Sequence, residues 1–466
     1  MVFSSLLFVF WFIPIFCALY YIVPGRARNT VLFLGSIVFY AWGEPKFLIL
    51  IFVSIIVNYI GGRMIERGRA RSEVSNGEVK ATGAMLAMII TLVFDFGMLF
   101  VFKYTDFFIE NINSIFGMAL SKTNLTLPLG ISFYTFQIAS YIIDLYRGKI
   151  KAEHNILNLG TYLIMFPQLI AGPIVVYSEV SEQLRERKIT FDAVEDGLIT
   201  FVIGLSSKVL IANRVGQLWD DIEMIGYENI STPLAWMGVI SFSLQIYFDF
   251  NGYSLMAIGL GKMLGFDIPR NFNHPYVSKS LTEFWRRWHI TLSSWFREYV
   301  YIPLGGNRKG TARTYVNLFI VWLLTGFWHG AGWNFILWGL FFFVALTIEK
   351  LWVKDWGDRH PIPAHIVTVI LLGLSWMIFA ITDMHDMRVF FGRLFAGEAA
   401  TDCLYYLRNY GVIMILGCVL STPLISRVFE KCRRKWTGAV ITVILFVLCV
   451  AYLADESYNP FLYFRF

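Results

Sequence analysis

The chain repeatedly presents apolar runs as long as a bilayer is thick. Stretches 3–23, 45–60, 83–102, 234–260, 333–348, 364–381 and 438–453 approach or exceed the roughly 18 residues with which a helix crosses hydrocarbon. In that solvent every backbone polar group must be satisfied inside the protein, and these runs are far too long for barrel strands. The pattern predicts an all-α, polytopic membrane protein with about eleven transmembrane helices plus interfacial or re-entrant ones. Charged residues make up 15% of the chain, against about 25% in soluble domains, which excludes a soluble globular enzyme. The first run, "MVFSSLLFVFWFIPIFCALYYIV", lacks a basic leader and a small-residue cleavage site, so it reads as a span.

Loop charges suggest an orientation. Arg26 and Arg28 follow the first run, only "GEPK" follows the second, and Arg63, Arg67, Arg69, Arg71 and Lys80 follow the third. Basic loops face the cytoplasm, which places the N-terminus outside. The basic "EKCRRKW" before the last run puts the terminal "DESYNPFLYFRF" outside as well. Residues 62–81 and 178–196 read as polar loops, and the whole of 1–466 as one integral-membrane domain. Within it, 262–315 carries nine Lys/Arg against three acids, an excess equal to the +6 of the entire chain. Such a surface suits an anionic partner: the phosphates of a nucleotide-linked donor, an acidic carrier protein or lipid headgroups. The five cysteines show no metal-ligand spacing.

Two histidines stand where ionisable groups are expensive. His329 lies in "LLTGFWHGAGWNF", an apolar stretch broken at Gly326, Gly330 and Gly332. Ionisable residues within membrane segments face an interior path or pair across helices, so His329 is either a structural hydrogen-bonder or a proton-moving group. His289 lies in "SLTEFWRRWHITLSSWFREYVYIPLGGN", where Ser280 and Glu283 have capping-box spacing. Trp285, Trp288, His289, Leu292, Trp295 and Phe296 then share one side of a helix expected to run to about Pro303, with a turn at Gly305-Gly306-Asn307. Arg286 and Arg287 would reach toward phosphates. Elsewhere "LPLGISFYTFQIASYIIDLYRG" carries Gln137, "YLIMFPQLIAGPI" carries Gln168 in a segment that its prolines and glycine must break, and "SLQIYFDFNGYS" carries Asp249 and Asn251. Their number argues for a lined interior. No zinc-protease, serine-hydrolase, Walker or dinucleotide motif is present in the sequence. A transporter or channel, or a scaffold for a polysaccharide export complex, fits these features as well as an enzyme does.

The chain resembles the membrane-bound O-acyltransferase family, in particular its bacterial polysaccharide O-acetylation branch, with the proteins that pass D-alanine to teichoic acid as relatives. The resemblance rests on "LPLGISFYTFQ" at 127–137, "MFPQLIAGPI" at 165–174, "IYFDFNGYSLMAIG" at 246–259, the stretch 271–306, "GFWHG" at 326–330 and the terminal "NPFLYFRF". It implies a ring of helices around a thin centre, with a funnel leading to a catalytic histidine. By the same resemblance His329 is that histidine and His289 is the second family histidine. The implied activity is transfer of an acyl group, acetyl in most of that branch, from a cytoplasmic thioester across the membrane to a hydroxyl outside. The donor would be an acyl-CoA such as acetyl-CoA or a carrier-protein thioester, with no tightly bound cofactor and no metal. The expected partners are an extracytoplasmic transferase and the lipid bilayer, and the expected location is a bacterial cytoplasmic membrane. Trp328, Asn334, Gln137, Gln168, Asp249, Asn251, Trp285, Arg286 and Arg287 are the expected substrate-contacting residues; nothing points to nucleic acid.

Overall fold

The computed structural model describes all residues except 75–81, 171, 354–355, 399–400, 456–461 and 463–466. The described residues are helical with no strand. Among the described residues, seven helices are long and apolar enough to cross a membrane: Pro45–Arg71, Thr82–Phe116, Phe191–Ile225, Trp333–Trp352, Pro361–Ala380, Asp402–Leu420 and Trp436–Asp455. The first apolar run forms the shorter Phe8–Ile22 helix. Run 234–260 forms Thr232–Leu264, in which Gln245, Asp249 and Asn251 dilute the apolar character. The chain is a polytopic all-α membrane protein.

The chain folds as two compact units, Met1–Leu198 with Ala257–Pro269, and Ile199–Met256 with Arg270–Phe466. In the first, Phe166 meets the rings of Phe12, Phe16 and Phe39 at 5.1–5.5 Å, closing Phe8–Ile22 against Arg28–Ala41. Ile131–Arg147 is the centre of this unit: every residue from Ile131 to Leu145 is buried except Ile143, its polar ones included. Segment 162–174 breaks as its prolines demand. The Ile156–Ile164 helix ends at Met165, which is extended (ψ 112°), and a single turn, Phe166–Leu169, follows.

Two stretches read as loops are largely helical: 62–74 of the first, whose remainder 75–81 lies outside the described residues, and 178–185 and 191–196 of the second. Leu48–Val74 continues through the basic segment because Arg63 pairs with Glu66 one turn on (2.9 Å) and Arg69 Nη1 donates to the Leu145 carbonyl (2.9 Å). Tyr177–Arg185 forms because Val180 and Leu184 bury one face, while the Tyr177 hydroxyl donates to Glu153 (2.6 Å). Local polarity concealed both, since their partners lie far away in sequence.

In the second unit, the Phe191–Ile225 helix carries a π-turn at Ser207–Ala212. Lys208 on that turn meets Asp249 at 2.5 Å with both side chains buried, and Asp249 also accepts from the Leu462 backbone N–H at 2.7 Å. Leu462 is thereby fixed; the rest of the terminal "NPFLYFRF" lies outside the described residues. Thr311–His329 and Trp333–Trp352 form a hairpin whose glycines let backbones touch. A Cβ on Gly326 would collide with the Phe335 carbonyl, and one on Gly339 would stand 2.5 Å from the Trp322 carbonyl. Neither neighbour is a side-chain end that can swing away. Gly339→Ala is therefore expected to lower stability by about 1–3 kcal/mol, the usual cost of overpacking. Gly392→Ala, where the added carbon meets nothing within 4 Å inside the Met384–Phe395 helix, should instead be neutral to stabilising, by up to about 1 kcal/mol; thermal unfolding of the detergent-purified protein compares the two.

Candidate active site

His329 is the last residue of its helix, and Gly330 leaves it in extended backbone (φ −166°) before the next helix starts at Trp333. The expected break is therefore present at Gly330 and Gly332, directly behind the imidazole, whereas Gly326 stays helical because it packs against the Phe335 carbonyl of the next helix. The ring is buried and walled by aromatics. Trp338 meets it edge-on at 4.9 Å, Phe379 at 5.2 Å and its neighbour Trp328 at 5.0 Å. Asn334 Nδ2 donates to the Phe379 carbonyl (2.9 Å), tying the start of Trp333–Trp352 to the end of Pro361–Ala380. That bond positions both Trp338 and Phe379 around His329.

The second histidine is held in another way. Ser280 caps as expected, its hydroxyl accepting from Glu283 N (3.0 Å), but the helix it opens stops at Arg287. His289 adopts a left-handed backbone (φ 43°), and a new helix, Ile290–Phe296, begins after it. A single helix from 280 to 303 is thus not what forms. The reason is Asn271. Its carbonyl accepts from Ile290 N (2.9 Å), and its side-chain oxygen accepts from Thr291 N (3.2 Å) and Thr291 Oγ1 (2.9 Å). A non-glycine residue at positive φ is costly and persists only where its surroundings over-determine it. The turn expected at Gly305-Gly306-Asn307 does form, with Gly305 and Gly306 at positive φ and Asn317 Nδ2 donating to the Gly306 carbonyl (2.9 Å).

The same contacts fix the tautomer of His289. A backbone N–H can only donate, so the Asn271 side-chain atom facing Thr291 N is its oxygen. His289 Nδ1, 3.2 Å from that oxygen, must then donate to it. Nε2 is left as the acceptor of the neutral ring, buried and with no hydrogen-bond partner among the described residues. Phe250 stands perpendicular at 4.8 Å and Trp328 edge-on at 5.8 Å. The Trp328 indole thus neighbours both histidines. Burial pushes the His289 imidazole down to about 3, so it is neutral at physiological pH.

The other expected contact residues are distributed unevenly. Trp285 packs against Trp322 (4.8 Å), Trp338 (5.7 Å) and Phe342 (4.9 Å), one wall away from His329. Arg286 is exposed, whereas Arg287 is spent on Glu283 (3.0 Å) and the Asn273 carbonyl (3.2 Å). Asp249 is engaged with Lys208, and Asn251 is half-buried on the same helix. Gln137 and Gln168 belong to the first unit, where both meet Tyr162: its hydroxyl donates to the Gln137 carbonyl (3.1 Å), and its own carbonyl accepts from Gln168 Nε2 (2.6 Å). The Gln137 amide is fully buried without a hydrogen-bond partner among the described residues. Sequence reasoning missed Asn271, Trp338 and Phe379. No local sign in the sequence marks the first, which lies 18 residues ahead of His289.

Two measurements check this arrangement. Asn271→Ala strands three buried donors, Thr291 N, Thr291 Oγ1 and His289 Nδ1, at about 1–3 kcal/mol for a buried group left unsatisfied, whereas Asn271→Asp keeps an acceptor and should retain more of the stability. Because the folded pKa of His289 lies below that of the unfolded chain, at about 6.5, the unfolded state binds the proton more readily between pH 6.5 and 3. Its contribution is fully present above about pH 6.5 and is lost as pH falls, at about tenfold in the folding constant per pH unit. His289→Gln should flatten that part of the stability–pH curve; an unchanged slope refutes the assignment.

Comparison with known proteins extends this picture. Residues 149–356, which include both histidines, match the model of the MBOAT, membrane-bound O-acyltransferase family. A probable alginate O-acetylase of Pseudomonas putida is 37% identical over 100% of both chains. A peptidoglycan O-acetyltransferase of Helicobacter pylori is 31% identical over 100% of this chain and 98% of its own. A teichoic acid D-alanyltransferase of Bacillus subtilis is 30% identical over 53% of this chain and 65% of its own. With whole-length relatives, the family model and the buried histidines in agreement, the chain belongs to the membrane-bound O-acyltransferase family.

Proposed function

We propose that this enzyme moves an acyl group, most simply acetyl, from a cytoplasmic thioester across the membrane to a hydroxyl of an extracytoplasmic polysaccharide or of a partner transferase. The observation that carries the reading is the placement of His329: buried, on a backbone break, and enclosed by Trp328, Trp338 and Phe379. Full-length similarity to proteins named for O-acetylation favours acetyl over D-alanyl, whose named relative aligns over about half of the chain. The donor would be acetyl-CoA, another acyl-CoA or a carrier-protein thioester, its phosphates drawn to Arg286 and to the exposed Arg308, Lys309 and Arg313. The enzyme would sit in a bacterial cytoplasmic membrane with its N-terminus outside, working with an extracytoplasmic acetyltransferase.

The chemistry follows from the weakness of a hydroxyl as a nucleophile. His329 takes the hydroxyl proton as the oxygen attacks the thioester carbonyl. The tetrahedral oxyanion collapses, the carbon–sulfur bond breaks, and the departing thiolate recovers the proton from the imidazolium. An ester and a free thiol result, and the histidine is regenerated. His289 presents a bare Nε2 for orienting the donor or passing a proton onward. Within the second unit, Asn251, Trp285 and Asn334 would then contact the substrates or hold the side chains that do, and Asp249 would do so through its pair with Lys208; Gln137 and Gln168 are proposed as substrate contacts of the first unit.

A positioned base contributes about 10²–10⁴-fold. His329→Ala and His329→Gln are therefore expected to reduce O-acetyl groups on the surface polysaccharide at least about 100-fold, with the protein still present in the membrane. Mass spectrometry of the purified polymer reads the result. Acetylation within about twofold of wild type, a small fraction of what such a base contributes, rejects the role given to His329.

A further inference from the structure

The second unit holds a groove of about 690 Å³ that the catalytic reading does not use. Its walls are Val239, Ile240 and Leu244 on Thr232–Leu264 and Val369 and Ile370 on Pro361–Ala380. It narrows at Gly373, where an added Cβ would come 2.7 Å from Val239 Cγ1. Its other end is polar, with Lys279, His365, Ser421 and Thr422. From Pro361 to Gly373 the helix rises about 18 Å at 1.5 Å per residue, which matches one leaflet of a hydrocarbon core about 30 Å thick. Ile240, Val369 and Ile370 are about two-fifths exposed, so the groove is open along its side.

The polar end is cationic. Lys279 is exposed there, and His365 Nδ1 donates to the Ser278 carbonyl (3.0 Å) beside it. Next to the groove, His274 bonds the Ser421 carbonyl (3.3 Å) and the Ser426 hydroxyl (3.2 Å). Burial first, and then the positive charges of Arg270, Arg287 and Arg427, hold its ring below the ordinary value, so three guanidinium groups act on this corner. Of the acids at this corner, Glu283 is committed to the Lys279 backbone N–H (2.9 Å) and to Arg287 (3.0 Å), and Glu349 accepts from the Leu281 and Thr282 N–H groups (2.7 and 3.0 Å), while Asp358 is exposed beside Gly357, which packs against Lys279. A slot one leaflet deep, apolar along its length and positive at its mouth, complements one amphiphile.

We propose that this groove is a binding site for an anionic membrane phospholipid, one acyl chain lying between the 232–264 and 361–380 helices and the headgroup phosphate at Lys279. The site stands apart from the acyl-transfer chemistry and holds whether or not His329 is the base. A basic side chain near an anionic headgroup is worth about a fivefold preference.

Native mass spectrometry of the full chain in detergent, titrated with phosphatidylglycerol or phosphatidylcholine, tests it. Wild type should retain phosphatidylglycerol preferentially. Lys279→Glu should reduce that retention about fivefold or more while leaving phosphatidylcholine unchanged. Ile240→Trp, which fills the slot from an exposed position, should lower retention of both lipids, and thermal unfolding would establish that each variant is folded. Equal retention of the two lipids by wild type overturns the proposal. So does undiminished phosphatidylglycerol binding by either folded variant, or a membrane polypeptide in place of lipid on the wild-type protein.

Discussion

Polar groups carried into apolar surroundings must find their partners within the protein, and this requirement organises both units. Lys208 and Asp249 neutralise each other on adjoining helices. Asn58 donates to Asp95 at 2.8 Å where both are buried. Asn271 answers a backbone amide, a hydroxyl and an imidazole with one oxygen. Each gives a costly group a partner, although Asn58 Oδ1 and Asp95 Oδ2 have none among the described residues, and each fixes the course of a segment as a by-product. The left-handed turn at His289 exists because Asn271 is there to receive it.

The helical nature of the chain was legible because hydrocarbon leaves a helix few alternatives. Run after run of apolar residues became a helix, with both ends close at 364–381 (Pro361–Ala380), whereas 45–60 and 83–102 run on into Pro45–Arg71 and Thr82–Phe116. The break behind His329 was equally readable, since three glycines in seven residues weaken a helix whatever surrounds it. What stayed hidden depends on distant partners. Nothing near residue 289 announces that residue 271 will end the helix there. The helicity of 62–74 depends on Arg69 reaching Leu145, and that of 177–185 on Glu153.

Among the residues expected to touch substrate, those with local backbone reasons fared differently from those selected by polarity. Asn334 lies beside the histidine and orders its walls. Asp249, chosen as a carboxylate in an apolar helix, faces a buried lysine that the sequence places 41 positions earlier. Arg287 is held by a glutamate one turn away, which leaves Arg286 as the exposed guanidinium of the pair. Composition reveals that polar groups are present, while only geometry reveals which of them are already spent.

The ending of the Thr311–His329 helix on the histidine itself has an electrostatic meaning. A base must carry a positive charge for the instant between taking a proton and returning it, and apolar walls give that charge no shelter. The carbonyls of a helix's final turn point past its end and present about half a negative charge there. His329 sits at that end, so in the role proposed for it the backbone would supply a permanent counter-charge without a carboxylate, which would itself need a partner. Lengthening the helix by even one turn would move this field beyond the ring.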